Sequence, residues 1–120
     1  MMYSQGDIVL VPVPFTDLSS HKKRPVLVLS KSEYNSVADD VIVAAITSVI
    51  DTKPYTVLFT DDDMADGTLR IDSCVRADKI YTLSQELIIK RFGRVNSEVV
   101  ETVKERLFSI MADTPQELNK

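Results

Sequence analysis

The sequence predicts a mainly β fold of the α+β class: short strands building a small twisted barrel or sheet, with helices added late. Three observations predict it. Short runs rich in Val, Ile and Leu fill the first two thirds of the chain, punctuated by Gly, Pro and polar residues. The connections between these runs are shorter than the dozen or so residues a βαβ crossover needs, which excludes a doubly wound parallel sheet. One helical stripe appears, and only near the end of the chain.

The elements follow in order. Gly6 precedes Asp7-Ile8-Val9-Leu10-Val11, a first strand ending at Pro12 and Pro14. Phe15 to Lys23 reads as a polar loop. Pro25 to Leu29 is a second strand, apolar on both faces, and Val41 to Thr47 a third, again apolar throughout, which places the third at the centre. Tyr55 to Phe59 is a fourth. Asp61 to Gly67 reads as a solvated turn. Thr68 to Tyr81 is strand-like, with a bend near Cys74. Thr82 with Gln85 matches a capping box for a short helix over Leu83 to Ile89, after which Gly93 breaks the chain. Asn96 or Ser97 caps a final helix, whose stripe is Val99, Val103, Leu107, Ile110 and Met111, with Pro115 beyond its end.

A chain of 120 residues fits one domain over 1–120. A domain of this size buries roughly two thirds of its unfolded surface, so it folds without disulfides or a structural metal. Cys74 is the lone cysteine, which suits a reducing cytosol and points to a cytoplasmic protein. No signal peptide is expected, and the longest apolar run, Val41 to Ile46, falls far short of the roughly 20 residues of a membrane span. The net charge of −4 argues mildly against nucleic acid as a partner. Its distribution argues otherwise. His21-Lys22-Lys23-Arg24 is an unbroken basic run, and Lys90, Arg91 and Arg94 form a second cluster, read as a solvated face. Acids gather at Asp61 to Asp66 and on the last helix, leaving room for a basic groove on an acidic body.

Several chemistries are excluded. One histidine cannot make a two-histidine metal site, and three scattered glycines make no phosphate loop. A calcium loop from Asp62 fails at Met64 and Ser73, where a ligand is required. No metal and no cofactor is expected. Four residues stand out instead. Arg24 lies where a basic loop enters a buried strand, and Pro25 holds it extended, so its guanidinium is a preset fork for phosphate. Its plain reading is a surface arginine. Thr47 ends the third strand, as a β-branched terminus or as a hydroxyl donor at a groove edge. Arg76 and Asp78, two apart on a strand, share a face at about 6–7 Å between Cα atoms. They read either as a surface ion pair or as a proton-transfer or phosphate-holding pair. Cys74 would share that face and reads as packing.

Four segments together resemble one family. They are Gly6 to Val11, Arg24-Pro25-Val26-Leu27-Val28-Leu29-Ser30, Val41 to Ser48, and Val75-Arg76-Ala77-Asp78-Lys79-Ile80 with Thr82-Leu83. Their order and spacing, over Gly6 to Met111, resemble the MazF/PemK-like toxins. The resemblance implies an SH3-like barrel with added helices, a homodimer, and metal-independent cleavage of single-stranded RNA, chiefly messenger RNA. It implies an antitoxin partner whose acidic or apolar tail covers the RNA groove. It places Arg24 and Thr47 at the catalytic centre and Arg76 and Asp78 in acid–base work. RNA contact falls on His21, Lys22 and Lys23 in the loop and on Ser48 and Lys79. The loop before Arg24 lacks the glycines and the Glu-Gln pair many members carry. A DNA gyrase inhibitor and a binding-only member share the same barrel and are the alternatives.

Overall fold

A computed structural model of the protein describes residues 3–13 and 22–113. His21, the loop residues 15–21 and Pro115 lie outside the described residues. Among the described residues seven strands, β1 (Asp7–Val13), β2 (Lys22–Val28), β3 (Asp40–Thr47), β4 (Thr56–Phe59), β5 (Met64–Gly67), β6 (Ser73–Ser84) and β7 (Lys90–Val95), form one sheet. Their order is β4-β6-β3-β2-β1-β7-β5, and every pairing is antiparallel. The sheet curls into a half-barrel. Helix α1 (Ser32–Val37) fills the β2–β3 connection, and α2 (Ser97–Met111) packs on β6 and β4. This is the fold class the sequence and the resemblance predict.

The central strands are apolar on both faces because both faces are covered. Leu27, Ala44 and Phe59 lie in the core beneath α2. Val9, Val26 and Val43 lie in a second core on the other side, with Leu83. In α2, Asn96 accepts from the Val99 amide at 2.9 Å, the expected N-cap bond. Only the first two turns of its stripe are buried. Val99, Val103 and also Val100 enter the core, whereas Ile110 and Met111 are exposed. Leu107 is partly buried against the same core, so the expected stripe overreaches only at its last two residues.

Several expected boundaries shift. β1 runs through Pro12 to Val13. Past Leu10, β7 no longer flanks β1, so a proline there forfeits no bond on that side. Lys22 and Lys23, expected in the loop, belong to β2, opposite Val13 and Pro12. The expected turn at Asp61 to Gly67 is a 3₁₀ turn followed by β5 on the edge of β7. Its fold is local: the Asp63 carboxylate accepts from the Thr60 amide at 2.8 Å. The expected helix over Leu83 to Ile89 is absent. Leu83 and Ser84 pair with Val41 and Asp40, and only Gln85–Leu87 forms a 3₁₀ turn. Gln85 does not close a capping box. Its amide nitrogen donates to the carbonyls of Asn35 at 2.8 Å and Ala38 at 3.0 Å, contacts no local pattern reveals. The irregularity in β6 lies at Ala77–Lys79, not near Cys74: Ala45 pairs with Arg76 but Ala44 with Ile80. Gly93 does not break the chain. It sits inside β7, where any Cβ would collide with the carbonyl of Asp66.

Two polar groups fix the connection through α1. Asn35 is 3% exposed. Its amide donates to the carbonyls of Tyr3 (2.8 Å) and Ser30 (3.0 Å), and its oxygen accepts from the Ser30 hydroxyl at 2.6 Å. The Ser30 hydroxyl in turn accepts from the Ile42 amide at 3.0 Å. Every polar atom of the Asn35 side chain is used, which offsets its burial. Asn35→Ala strands the Ser30 hydroxyl and two carbonyls, so urea denaturation should show a loss of about 2–3 kcal/mol; an unchanged midpoint would remove the network from the fold's essentials. Gly93→Ala should cost about 1–3 kcal/mol by forcing β5 off β7, with hydrogen exchange rising first at β5 amides. Undisturbed β5 protection would contradict that packing.

Candidate functional site

The two residues singled out first come from strands that part company. β2 and β3 pair only as far as Val26–Ala45. Were the register to continue, Arg24 would stand opposite Thr47. Instead β2 stays with β1 as far as Lys22, while β3 stays with β6 to Thr47. The split opens a cleft of about 1120 Å³. Lys23 and Arg24 line one wall, Thr47 and Ser48 the other, and Arg70 and Lys90 reach it from elsewhere. None of the described lining residues is acidic. Among the described residues, none of the four cations pairs with a carboxylate.

The polar groups of the cleft keep their donors. Arg24 donates one bond, from Nη1 to the Lys23 carbonyl at 3.2 Å, and its side chain is exposed. The Thr47 Oγ1 accepts from the Val49 amide at 3.1 Å. That bond fixes the oxygen and leaves the hydroxyl proton for an acceptor in the cleft.

Arg76 and Asp78 do not line this cleft. They bind each other: Nε donates to one carboxylate oxygen at 2.9 Å and Nη2 to the other at 2.8 Å. The guanidinium also lies over the Tyr55 ring, 5.0 Å from its centroid. The Arg76 hydrogen bond holds the Asp78 carboxyl below the usual carboxylate range, and the same bond raises Arg76. Asp78 lies in the β6 irregularity and Arg76 just before it. Arg76 pairs with Ala45, and Thr47 with Cys74, so Arg76 is a diagonal neighbour of Thr47, about 7–8 Å away. Lys79 is exposed in the same irregularity and also outside the cleft. Lys22 is exposed beside Lys23 but does not line it either. Cys74 is fully buried, in keeping with a packing role.

The second basic cluster divides. Arg91 and Arg94 each donate Nε to one oxygen of Asp7, at 3.0 and 2.9 Å, and Arg91 also reaches Asp66. Asp7 is 2% exposed, so these two arginines neutralise a buried charge and belong to the fold. Lys90 alone turns to the cleft. Sequence reasoning missed this division and Phe92, because the periodicity of β7 is broken at a place no local pattern marks; it missed Arg70 because that residue lies between β5 and β6, where no strand or helix period applies. Among the described residues, no three His, Cys, Asp or Glu side chains converge as metal ligands.

Comparison with known proteins bears first on the fold. An endoribonuclease from a mycobacterial species, solved in complex with its cognate antitoxin, superposes with a TM-score of 0.73. It is 21% identical, with 91% of this chain and 94% of that one covered. A MazE–MazF complex from Deinococcus radiodurans gives 0.74 at 20% identity, covering 93% and 97%. MazF alone from that organism gives 0.73 at 23%, covering 92% and 97%. At such identities the likeness establishes the fold. No curated relative matches the chain by sequence. The family model does match, across residues 4–111, and by it the chain belongs to the PemK-like, MazF-like toxins of type II toxin–antitoxin systems.

Proposed function

We propose that the protein is a metal-independent endoribonuclease toxin that cuts single-stranded RNA, messenger RNA above all. The observation that carries this reading is the cleft: among its described lining residues are four cations without a carboxylate partner, the Thr47 and Ser48 hydroxyls on the wall facing Arg24, and no acidic side chain, on a chain of net charge −4. Such a concentration of one sign attracts a polyanion and is indifferent to base sequence. Relatives of the same fold carry the names endoribonuclease and MazF, and two are solved with an antitoxin. By that likeness this chain works as a homodimer over residues 1–120, in the cytoplasm, and is held inactive by a cognate antitoxin covering the cleft.

The chemistry follows from the groups present. Attack of a ribose 2′-oxygen on the adjacent phosphorus needs a proton acceptor, a proton donor and stabilisation of charge on the phosphoryl oxygens. Arg24 and the Thr47 hydroxyl supply the stabilisation, which often lowers the barrier more than any other effect. The attack forms the 2′-O–P bond and breaks the P–O5′ bond; the departing 5′-oxygen takes a proton from solvent water, leaving a 2′,3′-cyclic phosphate and a 5′-hydroxyl. Asp78 stands outside the cleft wall, and this reading makes its carboxylate the base once Arg76 releases it. While Arg76 holds it, its basicity is suppressed. When Arg76 turns to the phosphate, the released carboxylate accepts the 2′-hydroxyl proton. Arg76 acts as a ligand rather than an acid, because its guanidinium stays protonated. Ser48, Lys23 and, farther out, Lys22 and Lys79 steady the RNA chain, and the family likeness gives His21 the same part.

Purified protein should cut a mixed-sequence RNA in the presence of EDTA, and Arg24→Ala should reduce that cutting by about 10²-fold or more without altering the fold by circular dichroism. Intact RNA together with inhibition of gyrase would replace this reading with the inhibitor; RNA binding without cutting would leave a binding protein. Thr47→Val keeps the β-branched shape and removes the hydroxyl. It should lower kcat by about 10-fold or more, with an unchanged melting temperature. Unchanged turnover would take Thr47 out of the mechanism.

A further inference from the structure

β7 carries a bulge whose consequence reaches the cleft. Ile8 of β1 pairs with Gly93 and Val9 with Arg91, so Phe92 has no partner on β1. One extra residue breaks the two-residue alternation of a strand and re-aims its side chains. Arg91 and Arg94, three apart, therefore face the same Asp7 carboxylate. Lys90 and Phe92 line the cleft. The Phe92 residue remains 42% exposed there, an unusual placement for a phenyl ring, and the Lys90 ammonium lies 4.8 Å from the ring centroid. Leu10 pairs with Pro25 on one side and Lys90 on the other. Lys90 thus lies two strand spacings, roughly 10 Å, from the step that carries Arg24.

We propose that Phe92 and Lys90 form a nucleotide subsite in which a base of the single-stranded RNA stacks on the Phe92 ring and Lys90 meets a backbone phosphate. The proposal rests on the ribonuclease reading above and adds a residue to it. An exposed ring beside cations is the arrangement by which single strands are bound without regard to sequence: every base has a face to stack, and the ring has no hydrogen-bonding edge with which to choose. The ammonium now over the ring holds the place a base would take. Its flexible stem lets it move to the phosphate when the base arrives. Arg91 is no substitute, since Asp7 and Asp66 occupy it.

The chain contains no tryptophan, so Phe92→Trp introduces a single indole as a direct reporter. The test places it in an Arg24→Ala background, to prevent turnover, and titrates a short mixed-sequence RNA against a matched abasic ribose-phosphate oligomer. Stacking predicts indole quenching by the RNA and none by the abasic chain. Phe92→Ala should weaken RNA binding about 10-fold and Phe92→Leu nearly as much, because the loss is of the π face. Lys90→Gln should lower the slope of log affinity against log salt by about one. Equal quenching by both oligomers, or RNA affinity unchanged in Phe92→Ala, overturns the subsite. Those readouts do not require cleavage. If Arg24→Ala abolishes EDTA-resistant cutting while Phe92 variants bind normally, the subsite fails and the ribonuclease reading stands. If the protein with Arg24 intact cuts no RNA yet quenching persists, the subsite stands and the ribonuclease reading fails.

Discussion

The hydrogen-bonded pair Ser30–Asn35 is the constraint on which the site depends. Where β2 and β3 pair, Val26–Val28 against Val43–Ala45, they are apolar on both faces, and both faces are covered. An inside–outside pattern normally fixes register, because a slip by one residue turns every side chain over. Here a slip would exchange one apolar face for another, and the pattern alone discriminates poorly. Ser30 and Asn35 supply the missing specificity. The hydroxyl holds the Ile42 amide while the Leu29 and Ser30 amides donate to the Ile42 carbonyl. A slip would leave these groups buried and unsatisfied, which costs more than mismatched aliphatic contacts. With that end of the pair locked, the other end is determined as well, and so is the place where the strands separate and bring Arg24 and Thr47 to one cleft.

The separation has a visible cause on the far side of β3. Three residues of β6, Ala77 to Lys79, are accommodated between the partners of Ala44 and Ala45. Irregularities of this kind bend a strand and sharpen its twist. β2 ceases to follow β3 at the same residue, Ala45. Arg76 and Asp78 span the bend and are joined by two short hydrogen bonds. The ion pair therefore braces the bend that opens the cleft, apart from any part it takes in proton transfer. A partly exposed pair contributes little to stability on its own, about 1 kcal/mol or less. Its value is geometric.

Much of the fold was legible in the residues, for reasons that also explain what was not. Doubly apolar runs at Pro25–Leu29 and Val41–Thr47 announce central strands because only burial on both faces tolerates them. Arg24 and Thr47 could be found because each sits at the end of such a run. Lys90 could not be told from Arg91 and Arg94, since what separates them is a carboxylate more than eighty residues earlier in the chain and a bulge without a sequence mark. The same holds for the segment after Thr82. Its capping pattern is genuine, but pairing with β3 claims Leu83 and Ser84, and Gln85 spans to carbonyls on the other side of the chain. Local propensity yields to tertiary pairing wherever the pairing satisfies more groups.

Charge was the most misleading bulk property, and its partition is the more informative one. A net charge of −4 describes the whole surface, but at physiological salt a fixed charge is felt over roughly 8 Å. Among the described residues, the charge a ligand meets inside the cleft is set by Lys23, Arg24, Arg70 and Lys90. Elsewhere the chain pairs cations freely: Arg76 with Asp78, Arg91 and Arg94 with Asp7, Lys104 with Glu101. A protein with eighteen acidic residues has carboxylates to spare, yet none is placed among the described residues of the cleft. Gathering unpaired like charges costs stability, and folding gains nothing from it. Departures of this kind from what the fold requires mark the places where a ligand supplies the missing partner, and on the proposed ribonuclease reading the partner of the four cations is a chain of phosphates.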